Sequence, residues 1–333
     1  MALEASEFTP EDFISKMPDN VITSILHRLP LLDAVRTGIL SRTWRFKWTM
    51  LTQLKFNEEF FLYLMKTKGV DSIGRIISRL LLNLNGAVTK TVFVPVILDV
   101  DDIRRLIMFL SSKGIKDLTI TDWSAPQVKL PTHLFACLEL TRLNIYGFCF
   151  NPPPGFHGFP NLVSLELRGG QFEGDDLGEF LTRVRLSFVF ELTEDGATKK
   201  FPTAFTSIRA LKLTRIDFGN RLMLSFALET IGHFLNLQTL DIISSSRHVD
   251  DPFPISIPEV DYNMTELRSV MFRCFKGSEN EVYMIKYLLA CSPSLKAIGI
   301  LRDRCLQPVE ELIYAKKLLK LHRASAEAEI DFY

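Results

Sequence analysis

The distribution of apolar residues gives the chain two patterns, one of helical period near its start and one of strand period further on. In the first pattern, apolar residues recur at i, i+3, i+4 and i+7, which places them on one face of a helix. These residues are Ile22, Ile25, Leu26 and Leu29. Pro18 and Asp19 suit the first turn of this helix, and Pro30 ends it because proline disfavours helical geometry at the preceding residue.

Two further short helices are predicted between this helix and residue 50. Asp33 suits the N-cap of the second helix, whose apolar positions are Ala34, Val35, Ile39 and Leu40. Ser41 can cap the third helix, whose aromatic residues are Trp44, Phe46 and Trp48. A domain of fewer than about 40 residues usually needs outside help to stay folded. The segment is therefore expected to cap a larger core of its own chain or to pack on a partner.

Strands of the form apolar-x-apolar recur from residue 92 to residue 300. The nine pairs are Val92/Val94, Leu118/Ile120, Leu143/Ile145, Leu165/Leu167, Val184/Leu186, Leu211/Leu213, Leu240/Ile242, Val270/Phe272 and Ile298/Ile300. They lie 19 to 30 residues apart, close to the period of about 20–29 residues in leucine-rich repeats. The spacing predicts an α/β fold in which irregular leucine-rich repeats stack as a solenoid with a parallel sheet. An unrelated α/β arrangement is the alternative.

Further helices are predicted from periodicity or from polar residues at their starts. Periodicity gives helices over 58–66 and 72–84. The acidic run from Asp99 to Asp102 precedes an apolar stretch, and negative charge is favoured at a helix N-terminus. We therefore interpret the run as a helix start and not as a metal site. Ser278 and Glu281 have the S-x-x-E spacing of a capping box, so another helix should begin there.

The first segment resembles the plant form of the F-box. The matching residues are Met17-Pro18, Ile22, Ile25-Leu26, Leu29-Pro30, Asp33-Ala34-Val35-Arg36-Thr37, Leu40-Ser41 and Trp44-Arg45-Phe46-Lys47-Trp48. Met17 stands where leucine is commoner, and this swap nearly conserves volume. The resemblance implies docking to a Skp-type adaptor of a cullin–RING ubiquitin ligase. The residues it implies in adaptor binding are Pro18, Ile22, Ile25, Leu26, Leu29, Pro30, Val35, Leu40 and Trp44.

The C-terminal segment resembles the FBD domain. The similarity lies in 267–282, in 287–295 and in a last stretch from Lys317 to Ile330. With the F-box and the repeats, the whole chain is similar to plant F-box/FBD/LRR-repeat proteins. The resemblance implies a three-helix F-box over 8–55, a leucine-rich-repeat solenoid over 56–262 and an FBD-like region that closes it over 263–333.

Composition narrows the classes of function. Lys plus Arg and Asp plus Glu are both 39, so the net charge is zero and a general attraction to nucleic acid is not expected. The first twelve residues are acidic and do not have the pattern of a signal peptide, and no apolar run is long enough to span a membrane. The five cysteines lack C-x-x-C spacing. They indicate buried thiols in a reducing compartment, so we expect the cytoplasm, the nucleus or both.

No catalytic, cofactor-binding or metal-binding motif is present. We therefore expect a non-catalytic substrate receptor, whose F-box binds the adaptor and whose repeats bind a target protein. One alternative is a repeat scaffold that assembles no ligase. In another, a small molecule joins the target to the repeats. An enzyme is the reading that the sequence favours least, and the sequence does not identify the target.

Overall fold

A computed structural model describes residues 16–93, 98–121, 128–149, 151–168, 187–191, 206–245, 264–304, 306 and 308–333. The chain divides into two compact units, the first ending at Ile115 and the second running from Lys116 to Tyr333. Three residues of the predicted strand pairs, Val94, Val184 and Leu186, lie outside the described residues.

The first unit consists of short helices and one pair of strands. Its elements are α1 (Asp19–Leu26), α2 (Leu31–Arg36), β1 (Gln53–Phe56), α3 (Glu58–Lys68), α4 (Ile73–Leu82), β2 (Lys90–Phe93) and α5 (Val100–Ser112), with 3₁₀ turns at Thr37–Ile39, Lys47–Met50 and Val70–Ser72. Strands β1 and β2 are parallel. Phe56, Phe60, Phe61 and Phe93 pack edge to face between the strands and α3, with Phe56 and Phe60 centroids 5.2 Å apart. This aromatic cluster is the core of the unit.

The predicted third helix is wrong. Residues 42–46 form turns, and only the short 3₁₀ segment Lys47–Met50 follows them. The Ser41 hydroxyl does accept a hydrogen bond from the backbone N–H of Trp44, at 3.2 Å, but the local turn does not continue as an α-helix. The second helix begins earlier than predicted, because Pro30 takes the N-cap position and Asp33 lies in the first turn.

The predicted helices over 58–66 and 72–84 correspond to α3 and α4. The interpretation of the acidic run is confirmed as well. Asp99 is the N-cap of α5, and its carboxylate accepts a hydrogen bond from the N–H of Asp102 at 2.7 Å. One of the four N–H groups left unpaired at a helix start is thereby satisfied.

The second unit is built on parallel strands joined by irregular connections. Its strands are β3 (Asp117–Thr121), β4 (Val128–Lys129), β5 (Arg142–Tyr146), β6 (Phe148–Cys149), β7 (Ser164–Arg168), β8 (Ser187–Glu191), β9 (Ala210–Ile216), β10 (Thr239–Ser244), β11 (Ser269–Phe275), β12 (Ala297–Arg302) and β13 (Glu329–Phe332). Its helices are α6 (Arg221–Gly232), α7 (Glu279–Cys291) and α8 (Pro308–Leu319), with a 3₁₀ turn at Thr132–Ala136. Strands β4 and β6 form a small separate sheet, and the others pair in chain order.

The register of this ladder confirms the predicted repeats and parallel sheet. Leu118 pairs with Leu143 and Leu143 with Leu165, so the first residues of the predicted pairs lie side by side. Later in the ladder, Leu240 pairs with Val270 in the same way. The leading apolar residues of the fuller L-x-x-L-x-L motifs, such as Leu140, are buried as well. At β8 the position beside Leu165 is taken by Phe188 and not by Val184 of the predicted pair.

A buried carboxylate fixes the start of α7. The Glu281 side chain accepts hydrogen bonds from the N–H groups of Ser278 and Lys276, both at 3.0 Å, and from the Ser244 hydroxyl at 2.8 Å. Ser278 in turn accepts from the N–H of Glu281, so the predicted capping box is confirmed. Burial raises the pKa of Glu281, and the hydrogen bonds from Ser244, Ser278 and Lys276 oppose that shift. The network joins α7 to the ends of β10 and β11.

We expect Glu281→Ala to destabilise the protein and Glu281→Gln not to do so. The Gln amide can still accept from the two N–H groups and can donate to the Ser244 hydroxyl, but it carries no buried charge. It should leave the free energy of unfolding at neutral pH unchanged or higher. Ala leaves both N–H groups without an acceptor and should lower it by about 2–4 kcal/mol.

Urea unfolding at acidic and neutral pH checks this prediction. Because the folded pKa is raised, the contribution of Glu281 to stability decreases as the pH rises through the window above its unfolded pKa. The Gln variant should remove that part of the pH dependence. Equal losses of stability in both variants would contradict the argument.

Candidate protein-docking surface

The apolar stripe of α1 divides between the protein interior and the surface. Ile22 and Leu26 are buried, each with only 1% of its surface exposed. Ile25 and Leu29 are 36% and 37% exposed, and Val21 lies one turn before Ile25 on the same side. The turn beyond the helix keeps helical hydrogen bonds, since the N–H of Leu29 donates to the carbonyl of Leu26. One side of the helix therefore fills the core, and the other presents apolar side chains to solvent.

A second exposed apolar group lies on the turns that follow α2. Ile39, Leu40 and Phe46 are 87%, 63% and 64% exposed. Gly38 allows these turns to approach each other closely, because a Cβ on residue 38 would lie only 3.0 Å from the Arg45 carbonyl oxygen. The close approach of these two turns thus keeps three large apolar side chains exposed to solvent. Exposed apolar side chains that cluster in this way mark interaction sites more often than scattered ones do.

Polar contacts hold this region in place. The Asp19 carboxylate at the start of α1 lies 2.5 Å from the Lys47 ammonium group, which ties α1 to the Lys47–Met50 turn. Trp44 and Trp48 are buried and fill the space within the unit. The Arg36 guanidinium contacts Asp33 at 2.9 Å and lies over the Tyr63 ring, with its central carbon 4.7 Å from the centroid. The exposed side chains are therefore carried on a fixed backbone.

Comparison with known proteins decides what this segment is. Residues 14–55 match the model of the F-box domain. Residues 103–186 match the LRR repeats described for the FBD-associated F-box protein At5g56370. Two segments of the chain are thus similar to known domains, one to the F-box and one to the leucine-rich repeats of an FBD-associated F-box protein.

Three proteins of Arabidopsis thaliana illustrate the similarity. F-box/FBD/LRR-repeat protein At1g13570 is 38% identical over 47% of this chain and 38% of its own length. FBD-associated F-box protein At4g10400 is 32% identical over 48% of this chain and 40% of its length, and putative F-box/FBD/LRR-repeat protein At1g22000 is 27% identical over 60% and 43%. The resemblance found in the sequence is confirmed. The chain spans less than half the length of these relatives.

The residues predicted to bind the adaptor fall into two groups. Pro18, Ile25, Leu29, Pro30 and Leu40 are exposed, whereas Ile22, Leu26 and Trp44 are buried and Val35 is half-buried. Their role in adaptor binding stays a prediction. The sequence analysis did not assign Val21, Ile39 or Phe46 to this surface, although their apolar side chains are exposed. The position of Val21 one helical turn before Ile25 was a signal that could have found it.

The F-box is strongly basic within a chain of zero net charge. Residues 14–55 contain seven Lys and Arg, two Asp and no Glu, a formal charge of +5. Asp19 and Asp33 are each already paired with a cation. Arg28, Arg42 and Arg45 are exposed. The apolar side chains of the F-box are therefore accompanied by unbalanced positive charge.

His27 joins α1 to the residue before β1. Its Nε2 accepts a hydrogen bond from the N–H of Thr52 at 3.3 Å, which requires the neutral imidazole. Burial lowers the pKa of His27. The histidine therefore links the helix that carries Ile25 and Leu29 to the remainder of the F-box only while it is unprotonated.

Two other features concern the described part of the chain alone. Within it, no group of three His, Cys, Asp or Glu is placed to hold a metal ion. None of the helices described there is both long and apolar enough to cross a membrane.

We expect His27→Gln to reduce the loss of stability on acidification. The folded pKa lies below the ordinary value of a histidine, so the contribution of His27 is complete above about pH 6.5 and is lost as the pH falls through the folded pKa. The Gln amide oxygen can accept from Thr52 and does not titrate in this range. Melting curves between about pH 7.5 and 5 check this, followed by tryptophan fluorescence. Equal pH slopes in both proteins would refute the assignment.

Proposed function

We propose that this protein is the substrate-recognition subunit of a Skp–cullin–F-box ubiquitin ligase. The observation that carries the proposal is an F-box match whose segment leaves large apolar side chains in water, among them Leu29, Leu40 and Phe46. A helical segment that filled only its own core would cover these groups. F-box domains generally bind Skp-type adaptors, so an adaptor of this kind would cover the exposed side chains.

Burial of the exposed side chains supplies the affinity in this proposal. Each large apolar side chain removed from water contributes about 1.5–3 kcal/mol. Large apolar and aromatic residues near the centre of an interface carry most of its binding energy. Ile25, Leu29, Leu40 and Phe46 would contact the adaptor directly. Ile22, Leu26 and Trp44 would act from the interior, by keeping those four on a fixed backbone.

The positive charge of the F-box indicates that the rim of the adaptor surface should carry negative charge. An apolar groove that accepts Ile25 and Leu29 should be bordered by carboxylates that complement Arg28, Arg42 and Arg45. Complementary charge raises the association rate more than the final affinity, and salt screens it. The adaptor is therefore expected to be acidic around its groove.

In this proposal the protein itself catalyses no chemical step. The leucine-rich repeats hold a target protein, and the F-box holds the complex that carries the ubiquitin-charged enzyme. Tethering both on one assembly turns a bimolecular encounter into an effectively intramolecular one. This role fits the cytoplasm, the nucleus or both, where thiols such as Cys137 and Cys149 stay reduced.

A repeat scaffold that assembles no ligase is the second candidate. It would use the same repeats for protein binding but would not need the exposed apolar side chains of the F-box. Capture of the adaptor separates the two candidates.

We expect the double variant Ile25→Ala and Leu29→Ala to lose about 10- to 100-fold in affinity for a purified Skp-type adaptor. Both side chains are exposed, so the melting temperature should hardly change. Titration calorimetry with the full chain measures the affinity. Leu312→Ala with Ile313→Ala is the control, because these apolar residues of α8 are also exposed, at 57% and 58%, but lie outside the F-box.

Substitution of the buried residue Ile22 should give the opposite pattern, in which stability falls and adaptor binding is not specifically lost. Ile22→Ala should lower the free energy of unfolding by about 2–5 kcal/mol and reduce adaptor capture only as far as the fold is lost. Unchanged adaptor binding in the Ile25/Leu29 variant would refute the proposed surface. Failure of the unaltered chain to bind any Skp-type adaptor would favour the scaffold.

Charge on the F-box should control how fast the adaptor binds. We expect the association rate to fall at least about tenfold between roughly 0.05 and 0.5 M salt, because screening removes electrostatic steering. Arg28→Glu with Arg42→Glu should give a low rate that depends little on salt. The control is Lys316→Glu with Lys320→Glu on and beyond α8, and stopped-flow fluorescence gives the rates. A salt-independent rate in the unaltered protein would contradict this account.

A further inference from the structure

The open face of the repeat sheet changes character along the ladder. Side chains alternate between the two faces of a strand, so residues flanking the buried pairs share the open face. In the first strands this face carries polar side chains, which pair with one another between neighbouring strands. Arg142 lies 3.3 Å from Asp117, and the Asn144 amide donates to the Thr119 hydroxyl at 3.1 Å. These strands satisfy their own polar groups.

The last strands instead present apolar side chains on the same face. We call this group the apolar patch, and it consists of Ile243 on β10, Met271 on β11, Leu301 on β12 and Tyr333 just after β13. Ile243 and Leu301 flank Arg273 from either side in the ladder. Leu301 and Tyr333 are 41% and 59% exposed, although each could have been polar without affecting the buried layer. Among the side chains that the structure describes on this face, the large exposed apolar ones lie on β12 and just after β13.

Gly299 shapes the floor of the patch. It occupies the position on β12 beside Met271 and is buried. A Cβ there would lie 2.8 Å from the terminal methyl of Met271 and 3.7 Å from the Tyr333 ring. The flexible Met271 side chain therefore lies over the glycine, and Tyr333 lies close to it. Methionine adapts its shape to different contacts, which suits a floor for a bound side chain.

A cation lies within the patch, and among the described residues only its Nε is engaged. The Arg273 Nε contacts one oxygen of Asp241 at 2.9 Å, and the Lys212 ammonium lies 3.5 Å from the other. Two cations share one carboxylate, which leaves a net positive charge. Guanidinium has five N–H donors, and Asp241 engages the one on Nε. Asp241 acts as a positioning residue that holds the Nε side of the guanidinium.

The backbone fixes the direction of Arg273. Arg273 pairs with Leu301 and Phe275 with Arg302, so Cys274 is an extra residue that forms a β-bulge. Its φ of 59° is uncommon for a residue other than glycine. The bulge is held by a hydrogen bond from the N–H of Asp303 to the Phe275 carbonyl, at 2.8 Å. Bulges re-aim neighbouring side chains and recur next to functional sites.

We infer that the apolar patch and Arg273 bind an extended peptide segment of a partner protein, one that carries a large apolar side chain close to a carboxylate. The apolar side chain lies over Met271, Leu301 and Tyr333, and the carboxylate accepts hydrogen bonds from Arg273. Asp331 of β13 is exposed beside Gly299, and Glu329 is exposed two residues earlier on the same strand, so a carboxylate is favoured only towards β11. This inference rests on the proposed function, because it gives the chemical class of the target.

Short synthetic peptides test the inference on the full chain. Each peptide has about eight residues, enough to cross the four strands, with a central Phe and a Glu, Gln or Lys two positions before it. All other positions are Ser, Thr or Gly. Fluorescence anisotropy of labelled peptides gives the affinities. The Glu peptide should bind about tenfold or more tightly than the Gln peptide, because a hydrogen bond to a charged group is strong, and more tightly still than the Lys peptide.

Variants of the patch assign the contacts. Arg273→Gln should abolish the preference for Glu over Gln, and Leu301→Ser with Tyr333→Ser should weaken all three peptides. Asp241→Asn should reduce the preference without removing it. Arg142→Gln, on the polar part of the same face, and Leu312→Ser, on α8, are controls that should bind like the unaltered chain. Circular dichroism confirms that each variant is folded.

Two results would overturn the inference: equal binding of the Glu, Gln and Lys peptides, or a Glu preference that survives Arg273→Gln in folded protein. Adaptor binding is measured in parallel on the same samples. Loss of adaptor binding alone refutes the ligase proposal and leaves the peptide site standing. Loss of peptide binding alone refutes the peptide site and leaves the ligase proposal standing.

Discussion

The layer of apolar side chains beneath the parallel strands is the constraint on which the second unit depends. Each strand contributes two inward residues, such as Leu143 and Ile145, and they are covered only when the neighbouring strands lie in register. One repeat cannot bury its own pair, so stability comes from the interfaces between repeats. The sequence between strands can therefore vary widely in length while the register is kept. The open face, freed from this demand, is available for recognition.

Those features that depend on local chemistry could be predicted from the sequence. The strand pairs follow from alternation, and the helix starts at Asp99 and Ser278 follow from side chains that satisfy nearby N–H groups. The third F-box helix could not be predicted correctly, because Trp44 and Trp48 are spaced like residues on one face of a helix. In the structure both are buried, but they lie in turns. In the structure the same segment is tied to α1 by the ion pair of Asp19 and Lys47, a contact that the local sequence does not show. The apolar stripe of α1 likewise did not show which of its residues the chain covers itself.

The two candidate surfaces are kept open by a similar device. In the F-box, Gly38 lets two turns meet, and the side chains around the contact extend outward. In the repeat sheet, Gly299 leaves room for Met271 and so creates a floor where a side chain would otherwise stand. In both places, a missing Cβ determines what neighbouring residues present to solvent. Neither effect can be seen in hydrophobic periodicity, since glycine contributes nothing to it.

Pairing in chain order has a consequence for how such proteins can change over generations. Because each strand of the main sheet in the second unit pairs only with its neighbours in an order that follows the chain, a whole repeat can be gained or lost while the remaining pairs keep their partners. The edges exposed by such an event match each other, since all strands run the same way and bury the same two positions. A gene that encodes this architecture can thus acquire a new recognition surface by recombination within itself, without having to evolve a new core.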